Sequence, residues 1–232
     1  MIIGVDVGGT FTDVFFLDES TQKIEIAKVP STPEDSSQGF LQGLRAHAKD
    51  WSQVLTVVHG TTVGTNALLS RKGASTGILT TQGFRDVLEM RRRDRPNTWG
   101  LWGQYEPVVP RNMRLDVPER VLADGTLHTP VDLDALESQV YNLLEKGAEA
   151  VALFFINSYI NPENEIRAAK KLRELWPNRH ISISHEILPE IREFERISST
   201  ALNAYLQPGI GKYLQNLDQK MCEEHFQGEL LI

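Results

Sequence analysis

The strongest chemical signal in the sequence lies at residues 6–13, which read Asp-Val-Gly-Gly-Thr-Phe-Thr-Asp between two β-rich runs. Glycine has no Cβ, so backbone N–H groups around the Gly-Gly pair can converge on an anion. The threonine hydroxyls can donate to phosphate oxygens. Asp6, at the end of a strand, can hold a hydrated Mg²⁺ ion, and Asp13 begins the next strand close by. The predicted phosphate contacts are Gly8, Gly9, Thr10 and Thr12.

This segment differs from the phosphate loops that join a strand to a helix. It lies between two strands, and the chain contains neither a GxxxxGK[ST] sequence nor a dinucleotide-binding fingerprint. The alternative interpretation is a β-hairpin with a Gly-Gly turn and two solvated aspartates. Two Asp and two Thr residues around one turn favour the phosphate interpretation.

A second candidate segment begins at His59, where a predicted buried strand ends and a helix begins. Free N–H groups at a helix start, together with the hydroxyls of Thr61 and Thr62, suit an anion or a polarised carbonyl oxygen. His59 is a candidate for proton transfer. Asn66, one helical turn after Thr62, is a further candidate for the same site. The alternative is that a threonine caps the helix and His59 is an ordinary strand-end residue.

Three further residues are candidates for a substrate pocket. Arg85 and Asp86 open a predicted short helix, and the alternative for them is a surface ion pair of little energetic value. Asn157 ends a buried strand, where strand-to-helix loops of α/β proteins often bind ligands. Its alternative is a turn residue before a capped helix.

The elements that position these residues alternate between strands and helices. Three strands at residues 2–7, 12–17 and 23–29 predict an antiparallel meander, and the later alternation predicts a mixed or parallel α/β sheet. We expect a phosphate-binding region at 1–120, with an irregular loop at 91–112. An α/β subdomain follows at 121–232, with a long helix interrupted near Pro208 and Gly209.

Composition excludes several classes of protein. The net charge of −7 and the lack of a binding motif argue against nucleic acid, in spite of the basic run at 91–95. One cysteine excludes an internal disulfide framework and a multi-cysteine metal site. Without a long apolar run or a signal-peptide pattern, we expect a cytoplasmic protein that does not associate with membranes. Residues 228–232 resemble the start of a strand, so we expect a fragment of a longer chain.

Residues 6–13 resemble the first phosphate motif of the actin/Hsp70/sugar-kinase ATPases. This resemblance implies a ribonuclease-H-like fold that binds ATP in a cleft between two such domains. Taken with later segments in the same order and spacing, the sequence resembles the N-terminal region of the hydantoinase A/5-oxoprolinase family. The segments that carry this resemblance are 4–13, 59–73, 80–86, 118–120, 157–162, 184–190, 193–196 and 203–205.

The family resemblance implies an ATP-dependent hydrolase that phosphorylates the carbonyl oxygen of a cyclic amide, such as hydantoin, 5-oxoproline or a related lactam, and opens the ring. It implies ATP and Mg²⁺ as cofactors, a second, B-type subunit and an oligomer. In this scheme Asp6 organises Mg²⁺ through water, Asp13 lies near, and His59 acts on the substrate side. The implied phosphate contacts are Gly8, Gly9, Thr10 and Thr12, and the implied substrate residues are Thr61, Thr62, Asn66, Arg85, Asp86 and Asn157.

Two other functions stay open from the sequence. Acetone and acetophenone carboxylases resemble the same segments, and they imply a ketone substrate and bicarbonate instead of a cyclic amide. A nucleotide-binding module without turnover of its own is the third possibility. Substrate-stimulated ATP consumption separates enzyme from module, and bicarbonate dependence separates the two enzymes.

Overall fold

A computed structural model describes residues 1–8, 10–32, 36–45, 51, 54–92 and 106–232, without the side chain of Ser36. Gly9, predicted to contact phosphate, and most of the loop predicted at 91–112 therefore lie outside the described residues.

Strands and helices alternate along most of the described chain. The strands are β1 (Ile2–Val7), β2 (Phe11–Asp18), β3 (Lys23–Pro30), β4 (Thr56–Thr61), β5 (Thr76–Thr81), β6 (Arg114–Val117), β7 (Arg120–Val121), β8 (Leu127–Thr129), β9 (Ala150–Phe154), β10 (Ile181–Ile183) and β11 (Glu229–Leu231). The helices are α1 (Ser36–Arg45), α2 (Val63–Leu69), α3 (Val87–Met90), α4 (Leu133–Glu145), α5 (Glu163–Leu175), α6 (Ser184–Ile187) and α7 (Glu193–Glu223), and a 3₁₀ turn is formed by Arg111–Met113.

The chain divides into two compact units. Residues 1–72 and 209–232 form the first unit, and residues 73–208 form the second. This division differs from the predicted boundary at residue 120, because β5 pairs with both β6 and β9 in a single sheet. The second unit is thus an insertion between α2 and the last part of α7.

The first unit is built on a mixed sheet, whose described strands have the order β3-β2-β1-β4-β11. Strands β1, β4 and β11 are parallel to one another, and β2 is antiparallel to both β1 and β3. The predicted meander of the first three strands is therefore confirmed. One face of the sheet packs against α1 and the last part of α7 in a core that includes Val5, Val14, Phe40, Val57 and Leu217.

The second unit is built on a parallel sheet, whose described strands have the order β6-β5-β9-β10. Every residue of β5 and β9 is buried, as is usual when a parallel sheet is covered on both faces. On one face, Gly77 of β5 lies against Leu143 of α4. On the other face, Arg196 of α7 lies over the ring of Phe154 in β9.

Helix α7 continues through Pro208, so the predicted interruption near Pro208 and Gly209 is not observed. Proline cannot donate a backbone hydrogen bond, which disfavours it inside a helix. Tyr205 before it and Tyr213 after it are both buried, so the helix is packed on either side of the proline. No helix in the described ranges combines the length and apolarity needed to cross a membrane.

Candidate functional site

Two carboxylates lie side by side on the open face of the first sheet. Asp6 of β1 is the register partner of Asp13 of β2, and on its other side Asp6 pairs with Gly60 of β4. A Cβ on residue 60 would lie 3.3 Å from Oδ1 of Asp6, so the glycine leaves room for the carboxylate above β4. The pleat therefore places both carboxylates at one exposed spot.

The charge at this spot is only partly compensated. Lys28 forms an ion pair with Asp13 at 3.0 Å, whereas Asp6 has no hydrogen bond or ion pair with any described residue. Like charges directly opposite each other in a sheet repel, so this pair of carboxylates favours a cation. In the described part of the chain no group of three or more His, Cys, Asp or Glu residues can hold a metal. An ion here needs water or phosphate oxygens as its other ligands, as Mg²⁺ commonly has.

The surface next to the carboxylates is apolar. Asp6 and Asp13 lie beside an open depression of about 370 Å³ lined by Gly4, Phe15, Ile26 and Val58, among others. Phe15 is 40% exposed and Ile26 is 74% exposed. The candidate site thus combines two exposed carboxylates with an apolar floor.

Gly8 and Thr10 lie between β1 and β2. The N–H of Gly8 donates to the carbonyl of Phe11 at 3.0 Å, and a Cβ on residue 8 would lie 3.0 Å from that same oxygen. Thr10 is exposed, and its carbonyl accepts from the N–H of Ser31 at 2.9 Å. The hairpin interpretation and the phosphate interpretation are both compatible with these contacts.

Thr12 is not placed where the predicted phosphate contact needs it. Its side chain is fully buried, and its hydroxyl lies 3.0 Å from that of Ser31. Thr12 is adjacent to Asp13 in the strand, so its side chain points to the opposite face of the sheet. We therefore remove Thr12 from the candidate phosphate contacts.

His59 also points into the core, away from Asp6. It is the register partner of Val5, is 2% exposed, and packs edge-on against Phe40. Its Nδ1 donates to the Val5 carbonyl at 3.3 Å, so its Nε2 accepts from the hydroxyl of Tyr213 at 2.6 Å. Burial lowers the pKa of His59 below its ordinary value. A neutral imidazole fixed in the core does not support the predicted role in proton transfer.

Thr61, Thr62 and Asn66 do gather at the end of β4, next to the end of β1. The Thr62 hydroxyl donates to the carbonyl of Val7 at 3.4 Å and accepts from the amide of Asn66 at 3.1 Å. The Thr61 hydroxyl accepts from the N–H of Val63 at 3.2 Å. All three predicted residues are exposed, and part of their polar capacity stabilises the start of α2.

Asp86 forms an ion pair, which is the alternative stated for it. Both of its oxygens accept from Arg111, at 2.8 and 3.0 Å, and Arg111 holds the pKa of Asp86 below its ordinary value. Arg85 differs, because its Nε is buried and has no hydrogen-bond partner among the described residues. Of this predicted pair, Arg85 is the one with a buried polar atom that has no partner in the described part of the chain.

Asn157 occupies a turn. It has a positive φ of 58°, and its amide donates to the carbonyl of Val121 at 2.9 Å. Asparagine tolerates this left-handed conformation better than most residues. The alternative stated for Asn157, a turn residue before a helix, therefore accounts for its contacts.

Sequence reasoning gave no role to the buried polar side chains of the second unit. Glu165 is fully buried and accepts from the Ser184 hydroxyl at 2.7 Å and from Nδ1 of His185 at 2.5 Å. Glu119 accepts from the amide of Asn164 at 2.8 Å, and burial raises the pKa of Glu119. Each carboxylate has a further charged residue within two positions of it in the sequence, Arg120 or Glu163, so no local pattern predicted their burial.

The two units define this chain as a mixed α/β protein with parallel strands in both sheets. Residues 2–176 match the family described as the hydantoinase/oxoprolinase N-terminal region. The chain belongs to this family.

Two relatives and one solved structure illustrate the range of the family. The chain is 34% identical to the caprolactamase subunit alpha of Pseudomonas jessenii over 93% of its own length and 32% of the relative. It is 30% identical to the acetophenone carboxylase gamma subunit of Aromatoleum aromaticum over 99% of its length and 34% of the relative. The crystal structure of the Pseudomonas jessenii ATP-dependent caprolactamase matches with a TM-score of 0.87, at 31% identity, over 99% of this chain and 35% of that one.

A nucleotide-free acetone carboxylase structure matches with a TM-score of 0.83, at 26% identity, over 97% of this chain and 34% of that one. The chain thus spans about a third of the length of these relatives and solved structures.

Proposed function

We propose that the chain forms the nucleotide-phosphate-binding, N-terminal part of an ATP-dependent hydrolase that opens cyclic amides. The observation that carries this proposal is the pair Asp6 and Asp13, side by side on an open sheet face with Gly60 leaving space next to them. The family match and the likeness to an ATP-dependent caprolactamase support the reaction class.

The first unit is, in this proposal, a ribonuclease-H-like domain. Its strand order, β3-β2-β1-β4-β11 with only β2 antiparallel to its neighbours, supports the assignment. In such a sheet the carboxyl ends of the parallel strands β1 and β4 lie side by side. Gly8 and Thr10 follow the end of β1, and Thr61 and Thr62 lie at the end of β4.

Within this proposal the chain's own residues bind and position the reactants. Asp6 and Asp13 hold a hydrated Mg²⁺ ion, and the backbone at Gly8 and Thr10 contacts the phosphates. When bound, ATP would supply a phosphoryl group to the amide oxygen, which makes the amide carbon more reactive toward attack by water. Such catalysis rests on positioning and on compensating negative charge, and paired carboxylates holding a cation serve both.

A second subunit completes the proposed enzyme. Matched relatives are named as the alpha subunit of a caprolactamase and the gamma subunit of an acetophenone carboxylase. We expect this chain by itself to bind Mg²⁺ with ATP weakly, because a cleft site needs both of its walls.

A ketone carboxylase is the second candidate function. The acetone carboxylase structure and the acetophenone carboxylase subunit match this chain almost as well as the caprolactamase does. The same phosphate and cation site serves either reaction, so its geometry does not distinguish them.

The test is ATP consumption by the longest available form of the polypeptide with its partner subunit. One arm contains hydantoin, 5-oxoproline or a lactam, and the other contains acetone or acetophenone with and without bicarbonate. We expect ADP release that a cyclic amide drives without bicarbonate, and a loss of at least 100-fold in Asp6→Asn. Release that requires both ketone and bicarbonate supports the carboxylase, and no release in either arm contradicts both enzyme proposals.

Two glycines of the same sheet face provide matched variants. In Gly60→Ala the new Cβ lies 3.3 Å from Oδ1 of Asp6, so we expect the carboxylate to shift and cation-dependent activity to fall about tenfold. In Gly4→Ala the new Cβ meets Cβ of Phe15 at 3.8 Å, an ordinary contact that does not involve Asp6, so any loss of activity should be smaller than in Gly60→Ala. Equal activity in the two variants contradicts the role given to Asp6.

A further inference from the structure

An open depression in the second unit lies where two parallel strands end. It has a volume of about 480 Å³, and the residues that line it include Gln82, Pro118, Arg120, Leu122 and His128. Gln82 directly follows β5 and Pro118 directly follows β6, next to the hairpin of β7 and β8. Ligands of α/β proteins usually bind at the carboxyl ends of parallel strands, and a volume of this size holds a small molecule. We call this place the Arg120 depression.

The guanidinium group of Arg120 has a fixed position in the depression. Its central carbon lies 4.8 Å from the centroid of the Phe84 ring, and its Nη2 donates to the backbone carbonyl of Gln82 at 3.3 Å. A cation that is stacked on a ring and hydrogen-bonded loses less freedom on binding an anion than a fully solvated side chain does. Arg120 is therefore oriented before a ligand binds.

The positive charge of Arg120 is not used by an ion pair within the described ranges. Glu119, its neighbour in the sequence, is 3% exposed, and its two carboxylate oxygens accept from the Thr81 hydroxyl and the Asn164 amide. A guanidinium group has five N–H donors, and within the described ranges Arg120 uses one of them, in the bond to Gln82. Most of its donors are therefore available to a ligand.

The other lining residues add polar groups and apolar surface around Arg120. The side-chain amide of Gln82 has no hydrogen-bond partner among the described residues, and Nδ1 of His128 lies 2.9 Å from the hydroxyl of Thr129. Leu122 is 38% exposed, and it lines the depression together with Pro118. An anionic group with a hydrocarbon body matches this combination.

The geometry and charge of the depression specify the kind of anion. The N–H donors of a guanidinium group form a planar fork that matches the two oxygens of a carboxylate. Arg120 compensates one negative charge, whereas a phosphate dianion would bring a second one close to the Glu119 carboxyl group. A singly charged carboxylate therefore fits better than a phosphate.

We propose that the Arg120 depression binds the carboxylate of a small organic monocarboxylic acid. The carboxylate accepts hydrogen bonds from Arg120, and the carbon skeleton lies against Leu122 and Pro118. Opening a cyclic amide creates a carboxylate, so the class includes the ring-opened product of the proposed reaction as well as a ring acid such as 5-oxoproline. This last link rests on the proposed function, whereas the carboxylate site does not.

The experiment is an NMR titration of the 232-residue chain, labelled at leucine methyl groups, in EDTA and without nucleotide. The probes are 5-oxoproline, 2-pyrrolidone, which is the same ring without the carboxylate, and 4-aminobutyrate, which is the ring-opened form of 2-pyrrolidone. We expect an acid to shift the Leu122 methyl signals and to bind at least about tenfold more tightly than 2-pyrrolidone. The acid that binds more tightly identifies the source of the carboxylate, a ring acid or a ring-opened acid.

Three results of this titration overturn the proposal. The first is that neither acid shifts the Leu122 signals, and the second is that 2-pyrrolidone binds as tightly as both acids. The third is that inorganic phosphate, added as a separate probe, binds more tightly than both acids.

Arg120→Gln and Arg111→Gln are matched variants. Each removes one positive charge from the second unit, but Arg111 is paired with Asp86 and does not line the depression. We expect acid binding to weaken by about 30-fold in Arg120→Gln, because the charged hydrogen bonds are lost, and to remain in Arg111→Gln. Equal losses in the two variants indicate unspecific attraction of anions and overturn the proposal.

Arg120→Lys provides the same test if Arg120→Gln does not fold. Lysine keeps the charge but lacks the planar fork, so acid binding should weaken by roughly tenfold while 2-pyrrolidone binding stays the same. An unchanged affinity for both acids overturns the proposal. Because the titration contains neither metal nor ATP, loss of the Asp6 site does not affect it, and failure of this proposal is distinguished from failure of the proposed function.

Discussion

Single residues of the first unit show that neighbours in the sequence can have opposite roles. Asp13 is exposed next to Asp6, while adjacent Thr12 is buried against Ser31. Likewise Gly60 borders the carboxylates while His59 is enclosed by Phe40 and other core residues. Successive side chains of a strand point to opposite faces of the sheet, and this separates the two residues of each pair. The chemistry of a motif therefore depends on which of its residues share a face.

His59 should make the stability of the protein depend on pH. Burial lowers the pKa of His59 in the folded state, so below about pH 6.5 the unfolded chain binds a proton that the folded chain excludes. The free energy of unfolding should therefore fall between pH 7.5 and pH 5.5, by up to about 1.4 kcal/mol per pH unit. Urea unfolding across this range measures the slope.

In His59→Gln the part of the slope due to His59 should disappear, and the variant should be less stable at pH 7.5 because the bond from Tyr213 is altered. If the free energy of unfolding depends on pH equally in His59→Gln and in the wild type, the prediction that this imidazole is buried and neutral is wrong.

At the scale of elements, close packing between helix and sheet depends on small residues. Helix α1 lies against β2, where a Cβ on Gly43 would come within 2.5 Å of Cγ2 of Val14. Glycine is a poor helix former, so its presence inside α1 reflects this contact and not helix propensity.

Gly43→Ala and Gly211→Ala should change stability in opposite directions. In a helix, alanine is favoured over glycine by about 1 kcal/mol. Nothing lies within 4 Å of a Cβ at Gly211 in α7, so that variant should gain stability. In α1 the contact with Val14 exceeds the gain, and Gly43→Ala should lose about 1–3 kcal/mol. Chemical denaturation measures both, and a stabilised Gly43→Ala would show that α1 packs less closely on β2 than described.

At the scale of the whole molecule, each unit has its own hydrophobic core. The core of the first unit includes Ile3, Phe40 and Leu217, and that of the second includes Leu79, Leu136 and Ile197. The second unit is one continuous segment, residues 73–208, whereas the first is assembled from both ends of the chain. A continuous segment with its own core satisfies the usual condition for independent folding.

Residues 73–208 expressed alone should therefore fold cooperatively. Calorimetry and NMR should show a single unfolding transition and well-dispersed signals. A shorter piece, residues 73–149, lacks β9, which lies between β5 and β10 in the sheet, and should remain unfolded. A segment 73–208 that lacks a cooperative transition would contradict the division into units.

The sequence alone determined the elements and the family. Periodicity and turn residues predicted the first three strands, most later strands and the helices, because these signals are local. The motif segments identified the hydantoinase/oxoprolinase family, which the match over residues 2–176 confirms. The pairing of Asp6 with Asp13 could also be predicted from the sequence, since a short hairpin places the facing residues of its two strands side by side.

Only the tertiary structure decided which side chains meet. Thr12 and His59 lie within the two candidate segments but point into the core. The sheet register that orients them depends on strand pairing, which for His59 joins distant segments. Asp116, Thr80 and Arg196 show the same dependence, since the pairing of β5 with β6 and β9 and the packing of α7 bring them to one face of the second sheet. Burial of a polar atom without a partner is a property of three dimensions, so no local pattern in the sequence could show it.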